Sequence, residues 1–166
     1  MIPDIKKFTS FTLEIAIGEN GVRQLKRKMQ AGRAVNFSSP VTDKRRPKLY
    51  LVKYRQEIIY VGFTTDPMAN RIRYGLKGVG GYHGYKWKKL DRVELLIWVF
   101  DETFSVDRKV SHCRRLFYEA VEAELVFMYR QQEGDWPKHQ NEIHFNNTSR
   151  TEVQTLAKKI YQELRA

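Results

Sequence analysis

The stretch Lys48-Leu49-Tyr50-Leu51-Val52-Lys53-Tyr54-Arg55-Gln56-Glu57-Ile58-Ile59-Tyr60-Val61-Gly62 decides the fold. Residues 48–52 and 57–62 are apolar, β-branched or aromatic, and the polar run between them has the length of a turn. That pattern predicts a β-hairpin. Downstream, Thr64 or Thr65 is expected to cap a helix running to about Leu76, with Asp66 and Pro67 in its first turn, where a carboxylate and a proline both fit. Gly78-Val79-Gly80-Gly81 breaks the chain, and Arg92–Phe100 reads as a strand covered on both faces.

Upstream, Phe11, Leu13, Ile15 and Ile17 alternate with Thr12, Glu14 and Ala16, so Thr9–Ile17 predicts a half-buried strand. Gly18-Glu19-Asn20-Gly21 is a turn, after which Asn20 is expected to cap a short helix with Val22, Leu25 and Met29 on one face, ending near Gly32. Residues 38–47 read as an exposed basic loop marked by Pro40 and Pro47. Past the third strand, a long helix is expected from about Val106 to Gln132, then an irregular segment through Asn147. Ser149 and Glu152 form a capping box that opens a last helix with the stripe Val153, Leu156, Ile160 and Leu164. The expected class is α/β in the α+β sense. A small, mostly antiparallel sheet is built on the hairpin plus a third strand and flanked by helices, with an extra N-terminal strand and helix. Residues 1–47 would form that extension with its basic loop, 48–147 the core, and 148–166 a C-terminal helix packed on it.

The 166 residues carry a formal net charge of +11, which attracts polyanions over a Debye length or more. Between Arg23 and Arg55 the only acidic residue is Asp43, against eleven lysines and arginines, whereas acidic residues are dense from Asp101 to Asp135. One region is suited to phosphates and another to holding a cation. Cys113 is the only cysteine, which excludes an intrachain disulfide and a cysteine zinc cluster. No apolar run has membrane-spanning length and the first residues lack a signal pattern, so a cytoplasmic protein is expected.

Tyr50 in the first hairpin strand, Tyr60-Val61-Gly62 ten residues later, Thr64-Thr65-Asp66-Pro67, and Arg71 eleven residues past Tyr60 resemble the GIY-YIG nuclease family. The resemblance covers roughly Lys48 to Phe145, and its first half is the more specific. It implies a third strand, matched by Arg92–Phe100. A helix with a catalytic glutamate should follow, matched by Glu122, and then an asparagine after a proline, for which Pro137 and Asn141 are the candidates. The chain departs from the pattern in three places. The first motif reads Lys48-Leu49-Tyr50. The position four past the arginine, often histidine or tyrosine in the family, is Gly75, with Tyr74 or His83 as substitutes. The gap from Glu122 to Asn141 is longer than usual.

By that resemblance the protein is a metal-dependent DNA endonuclease using Mg²⁺ or Mn²⁺, with water attacking and a 3′-hydroxyl leaving. Glu122 would bind the metal, since one carboxylate suffices for an ion that keeps most of its waters. Arg71 would hold a non-bridging phosphate oxygen through a permanently charged guanidinium. Tyr50 would accept or relay a proton and Tyr60 would orient water or phosphate. A tyrosine titrating near ~10 is a poor base alone. Gly62 would let the backbone turn where DNA approaches. Taken singly, each residue also has a plain reading: a surface glutamate, a solvated helix arginine such as Arg73, or strand-packing aromatics.

Lys44, Arg45, Arg46, Lys53, Arg73, His83, Lys86, Lys88 and Lys89 are the candidate DNA contacts. The last four lie in Gly80-Gly81-Tyr82-His83-Gly84-Tyr85-Lys86-Trp87-Lys88-Lys89, whose rings could stack on bases or fold back onto the core. His139, Glu142 and His144 match no metal box. The expected partner is DNA, with RNA as the other polyanion that fits. An oligomer is compatible with the sequence. The alternative to an endonuclease is a catalytically inactive nucleic-acid-binding module of the same fold, which would have little reason to keep Tyr50, Tyr60, Arg71 and Glu122 together.

Overall fold

β1 (Ile5–Ile17) is the longest strand, and its inward side chains Phe11, Leu13 and Ile15 are buried. The computed structural model describes residues 1–79, 85–140, 143–144, 146 and 148–165. After β1, the helix expected between Val22 and Gly32 is instead a strand, β2 (Arg23–Gln30), antiparallel to β1 with Ile15 opposite Leu25. The cause is local. Gly21 takes φ 73°, and the Asn20 side chain accepts a hydrogen bond from the Val22 N–H at 3.2 Å. The Gly18 N–H donates to the Val22 carbonyl at 2.9 Å. Asn20 therefore closes a hairpin turn and caps no helix. Once the chain is reversed, the open edge of β1 satisfies the backbone of Arg23–Met29, and helix propensity is overruled by the ladder. The short β3 (Arg33–Ala34) completes this basic ribbon.

The hairpin forms as predicted: β4 (Lys48–Tyr54) pairs with β5 (Glu57–Thr64). β6 (Arg92–Phe100) lies between β1 and β4 and is buried along nearly its whole length. One antiparallel sheet results, in the order β3-β2-β1-β6-β4-β5. The N-terminal strands are thus continuous with the sheet of the core, and β5 is an edge strand.

Helices cover the two faces. α1 (Met68–Lys77) sits on one, against a cluster that includes Tyr50, Val52, Tyr60, Ile72, Trp87 and Ile97. α2 (Arg108–Glu133) and α3 (Arg150–Glu163) sit on the other, against Leu51, Val61, Phe63, Trp98 and Phe100. Period-two alternation makes this division: Tyr60 and Gly62 face α1 while Val61 and Phe63 face α2. Among the described residues no helix is long and apolar enough to cross a membrane.

Two cap expectations are corrected, and α2 gains a cap that the sequence reading did not name. Thr64 belongs to β5, its hydroxyl accepts from the Asp66 N–H at 3.1 Å, and α1 begins after Pro67. Asp107 caps α2 by accepting from the Lys109 N–H at 2.9 Å. Ser149 stands at the N-cap of α3 without a side-chain cap bond, and the Glu152 carboxylate pairs with the N-terminal ammonium at 2.6 Å.

The loop 38–47 is only partly the exposed basic segment expected. Val41 is buried, and its carbonyl accepts from Met68 N–H at 3.2 Å, which ties the loop to the start of α1. Lys48, fully buried, donates from Nζ to the carbonyls of Asp43, Arg46 and Asp66 at 2.8, 2.9 and 3.1 Å. Burial lowers its pKa to about 8, against the opposing pull of Asp43 and Asp66. Replacing it would leave three carbonyls to find water in a closed site. Lys48→Ala should lower the unfolding free energy by about 2–4 kcal/mol in urea titrations. An unchanged midpoint would mean that the loop carbonyls are solvated without it.

Candidate active site

Four elements bring the site together. Tyr50 projects from β4 toward α1 and is wholly buried. Its phenol lies across Gly62 of β5: a Cβ at residue 62 would stand 2.5 Å from both Cζ and the hydroxyl of Tyr50. The glycine expected to let DNA approach is therefore needed first by a phenol of the chain itself. Arg71, in the first turn and a half of α1, is 7% exposed and donates from Nε to the Tyr50 hydroxyl at 2.9 Å. A guanidinium so placed stays charged and must be met by polar atoms.

The second phenol on Tyr50 is one the sequence reading missed. The Tyr85 hydroxyl is 3.0 Å from that of Tyr50 and donates to the Arg71 carbonyl at 3.4 Å. With Arg71 donating to Tyr50 and Tyr85 donating to Arg71, the remaining proton runs from Tyr50 to Tyr85. The three groups close a directed ring of hydrogen bonds. Tyr85 reaches this place over Gly75, where a Cβ would lie 1.9 Å from its ring. Residue 75, four past Arg71, thus carries no side chain, and the Tyr85 ring occupies the space this leaves. Tyr74, the substitute suggested by the sequence, instead has its hydroxyl 3.5 Å from Arg73. The signal was available: Gly75 and Tyr85 are a small and a large residue on facing elements.

Tyr60, 8% exposed, packs beside both, with ring centroids 6.0 Å from Tyr50 and 5.4 Å from Tyr85. Burial, reinforced by Tyr50, pushes its pKa well above the ordinary value, and the Arg71 charge opposes that only in part. The Glu122 carboxylate acts on the same phenol in the raising direction. Glu122 is half-buried on α2, the helix on the other face of the sheet, and β5, which carries Tyr60, is the edge strand. The Tyr60 phenol on this edge strand thus feels the opposing charges of a carboxylate from α2 and a guanidinium from α1.

That edge is closed by the segment after α2. The Gln140 side chain accepts from the Val61 N–H at 2.9 Å and donates to the Val61 carbonyl at 3.2 Å, and the His139 N–H donates to the Ile59 carbonyl at 2.8 Å. Gln140 thus takes the part of a neighbouring strand and pins this segment next to Tyr60, a role that sequence spacing did not reveal. Burial, then the charges of Lys138 and Lys86, hold the His139 pKa below its usual value. Asn141 and His83, with Glu142, lie outside the described residues.

The cationic candidates separate. Lys44, Arg45, Arg73, Lys86 and Lys89 are exposed and Lys88 is half-buried. Arg46 is engaged within the fold, 3.0 Å from Asp43 and 3.4 Å from Asp101. Lys53 sits near the hairpin turn, 3.9 Å from Glu94. Arg73 donates to Asn70 at 3.2 Å. Of the rings expected either to stack on bases or to fold back onto the core, Tyr85 and Trp87 do the latter: they stack on each other at 4.3 Å and are buried, while Lys86 and Lys89 in the same turn are exposed. Tyr82 is outside the described residues.

As for a metal, no group of three or more His, Cys, Asp or Glu side chains could hold one among the described residues. One hard carboxylate, Glu122, fits Mg²⁺ or Mn²⁺ only where waters and a substrate phosphate complete the shell.

Gly75→Ala should destabilise the protein by about 1–3 kcal/mol, and that cost should largely vanish in a Tyr85→Ala background; additive costs would contradict the packing described. Tyr60 and Tyr85 titrate above their unfolded value near ~10, so their contribution to stability is complete below that pH and is lost as pH rises beyond it. Phenolate absorbance should therefore show them ionising only together with unfolding. Their early titration in the folded state would contradict the buried cluster. No family model, curated protein or solved structure matches the chain.

Proposed function

We propose that this protein is a metal-dependent endonuclease that hydrolyses phosphodiester bonds in DNA. What supports this most is that Arg71 is bonded to Tyr50 at 2.9 Å while the neighbouring Tyr60 phenol feels the charges of both Arg71 and Glu122, groups from elements distant in sequence. A buried ring of phenols around a guanidinium is costly as mere packing, since every polar atom in it has to be satisfied.

The residues divide the work. Arg71, fixed in direction by its Nε bond to Tyr50, would hold a non-bridging oxygen of the scissile phosphate. Tyr50, fully buried, is a positioning residue for that guanidinium, and the proton relay expected of it on sequence grounds is given up. Tyr85 extends the same support. Tyr60, kept neutral by burial, donates a hydrogen bond or orients the attacking water, and does not serve as a base. Glu122 would hold Mg²⁺ or Mn²⁺, which when bound supplies charge stabilisation of the phosphate and acidifies water. Lys44, Lys86, Lys88, Lys89 and Arg73 would meet backbone phosphates nearby.

The inactive DNA-binding module is separated by one experiment. Supercoiled plasmid with Mg²⁺ or Mn²⁺ should be nicked by the wild-type protein. Glu122→Ala and Arg71→Ala should each lower the rate by about 10²–10³, the usual cost of losing a charge-stabilising group, while Glu122→Ala still binds DNA. Salt-sensitive binding with no nicking by the wild type would overturn the nuclease reading in favour of a binding module.

A further inference from the structure

A second hollow, of about 630 Å³, opens where the end of β5 meets the start of α2. Arg45, Thr65, Asp66, Arg108, His112 and Arg115 are on its walls. Residues 108, 112 and 115 are spaced four and three apart, so they share one face of α2. The Phe104 N–H donates to the Arg45 carbonyl at 2.8 Å, which holds the loop bearing Arg45 beside the entry to the helix.

The charge in this hollow is lopsided. Three guanidiniums face a single lining carboxylate, Asp66. Arg115 leans toward Glu119 at 3.7 Å with half its side chain still exposed. Among the described residues no ion pair holds Arg45 or Arg108. Gathering cations into a concavity costs repulsion that an anion relieves, and the lining hydroxyls of Thr64, Thr65 and Ser111 add neutral donors of the kind that phosphates accept.

The position of the hollow identifies the anion. Glu122 follows Arg115 by seven residues and Arg108 by fourteen, near-whole numbers of helical turns, so all three point the same way. At 1.5 Å per residue they are separated by about 10 and about 21 Å along α2. At 3.4 Å per nucleotide step, that is roughly three to six steps along a strand. We propose that this hollow seats a backbone phosphate of the same DNA, a few nucleotides from the bond addressed by Glu122. The inference rests on the endonuclease reading for its register, though not for its chemistry.

The test uses the full chain, a fluorescently labelled DNA duplex and EDTA, with affinity measured over a range of NaCl concentrations. Arg108→Gln combined with Arg115→Gln changes only exposed positions. It should reduce the slope of log affinity against log salt by about 2, and the paired Arg→Lys changes should restore it. Inorganic phosphate at matched ionic strength should compete no better than chloride, because the affinity comes from a run of phosphates and not from one ion. Strong competition by inorganic phosphate would assign the hollow to a free ion and overturn the proposal. DNA binding with an unchanged slope in the Gln variant would overturn it while leaving the nuclease reading intact. A reduced slope in a protein whose wild type never nicks would do the reverse. Absence of DNA binding by the wild type would overturn both.

Discussion

A guanidinium under the surface of a small domain has to be held by something, and here the holder is phenolic. Arg71 cannot discharge its proton, so the surrounding chain supplies acceptors: the Tyr50 oxygen takes Nε–H, and the Arg71 carbonyl in turn anchors Tyr85. Everything else about the site follows from making room for this ring. Gly62 leaves the space that the Tyr50 phenol crosses, and Gly75 leaves the space that the Tyr85 ring fills. Neither glycine has a positive φ. Both are required by what lies against them and not by backbone conformation.

The sheet makes the ring useful. β4 and β5 present Tyr50 and Tyr60 to α1, while their alternate residues bind α2 on the opposite face. The Glu122 carboxylate on α2 raises the pKa of the Tyr60 phenol although the two belong to opposite faces of the sheet. The Gln140 amide that covers the β5 edge satisfies the Val61 backbone without blocking it with a seventh strand. An unprotected edge invites pairing with other chains, so the pinned segment after α2 serves stability and site construction together.

How much of this could be read in the sequence depends on the range of the interaction. The hairpin, β6, α2 and α3 were legible because alternation or helical stripes ran for many residues in one sense. The grouping of Tyr50, Tyr60, Arg71 and Glu122 into one site came from the resemblance to a family pattern and not from alternation or helical stripes. β2 was misread because Lys, Arg, Gln and Met suit a helix, and only the offered edge of β1 and the Asn20-Gly21 turn decide otherwise. Tyr85 and Gln140 were missed because their roles exist only across space: one needs the gap at Gly75, the other the bare backbone of Val61. Thr64 failed as a cap because β5 runs on through it, and the Glu152 carboxylate expected to complete the box with Ser149 is paired with the N-terminus.

The most direct measurement of the central claim is a crystal structure of the protein with Mn²⁺ and a duplex carrying non-hydrolysable phosphate linkages. The account predicts anomalous density for the ion at the Glu122 carboxylate and a phosphate oxygen within hydrogen-bond distance of both Arg71 and Tyr60. DNA lying along the β2–β3 ribbon, with Arg71 still closed over Tyr50 and no ion at Glu122, would contradict it.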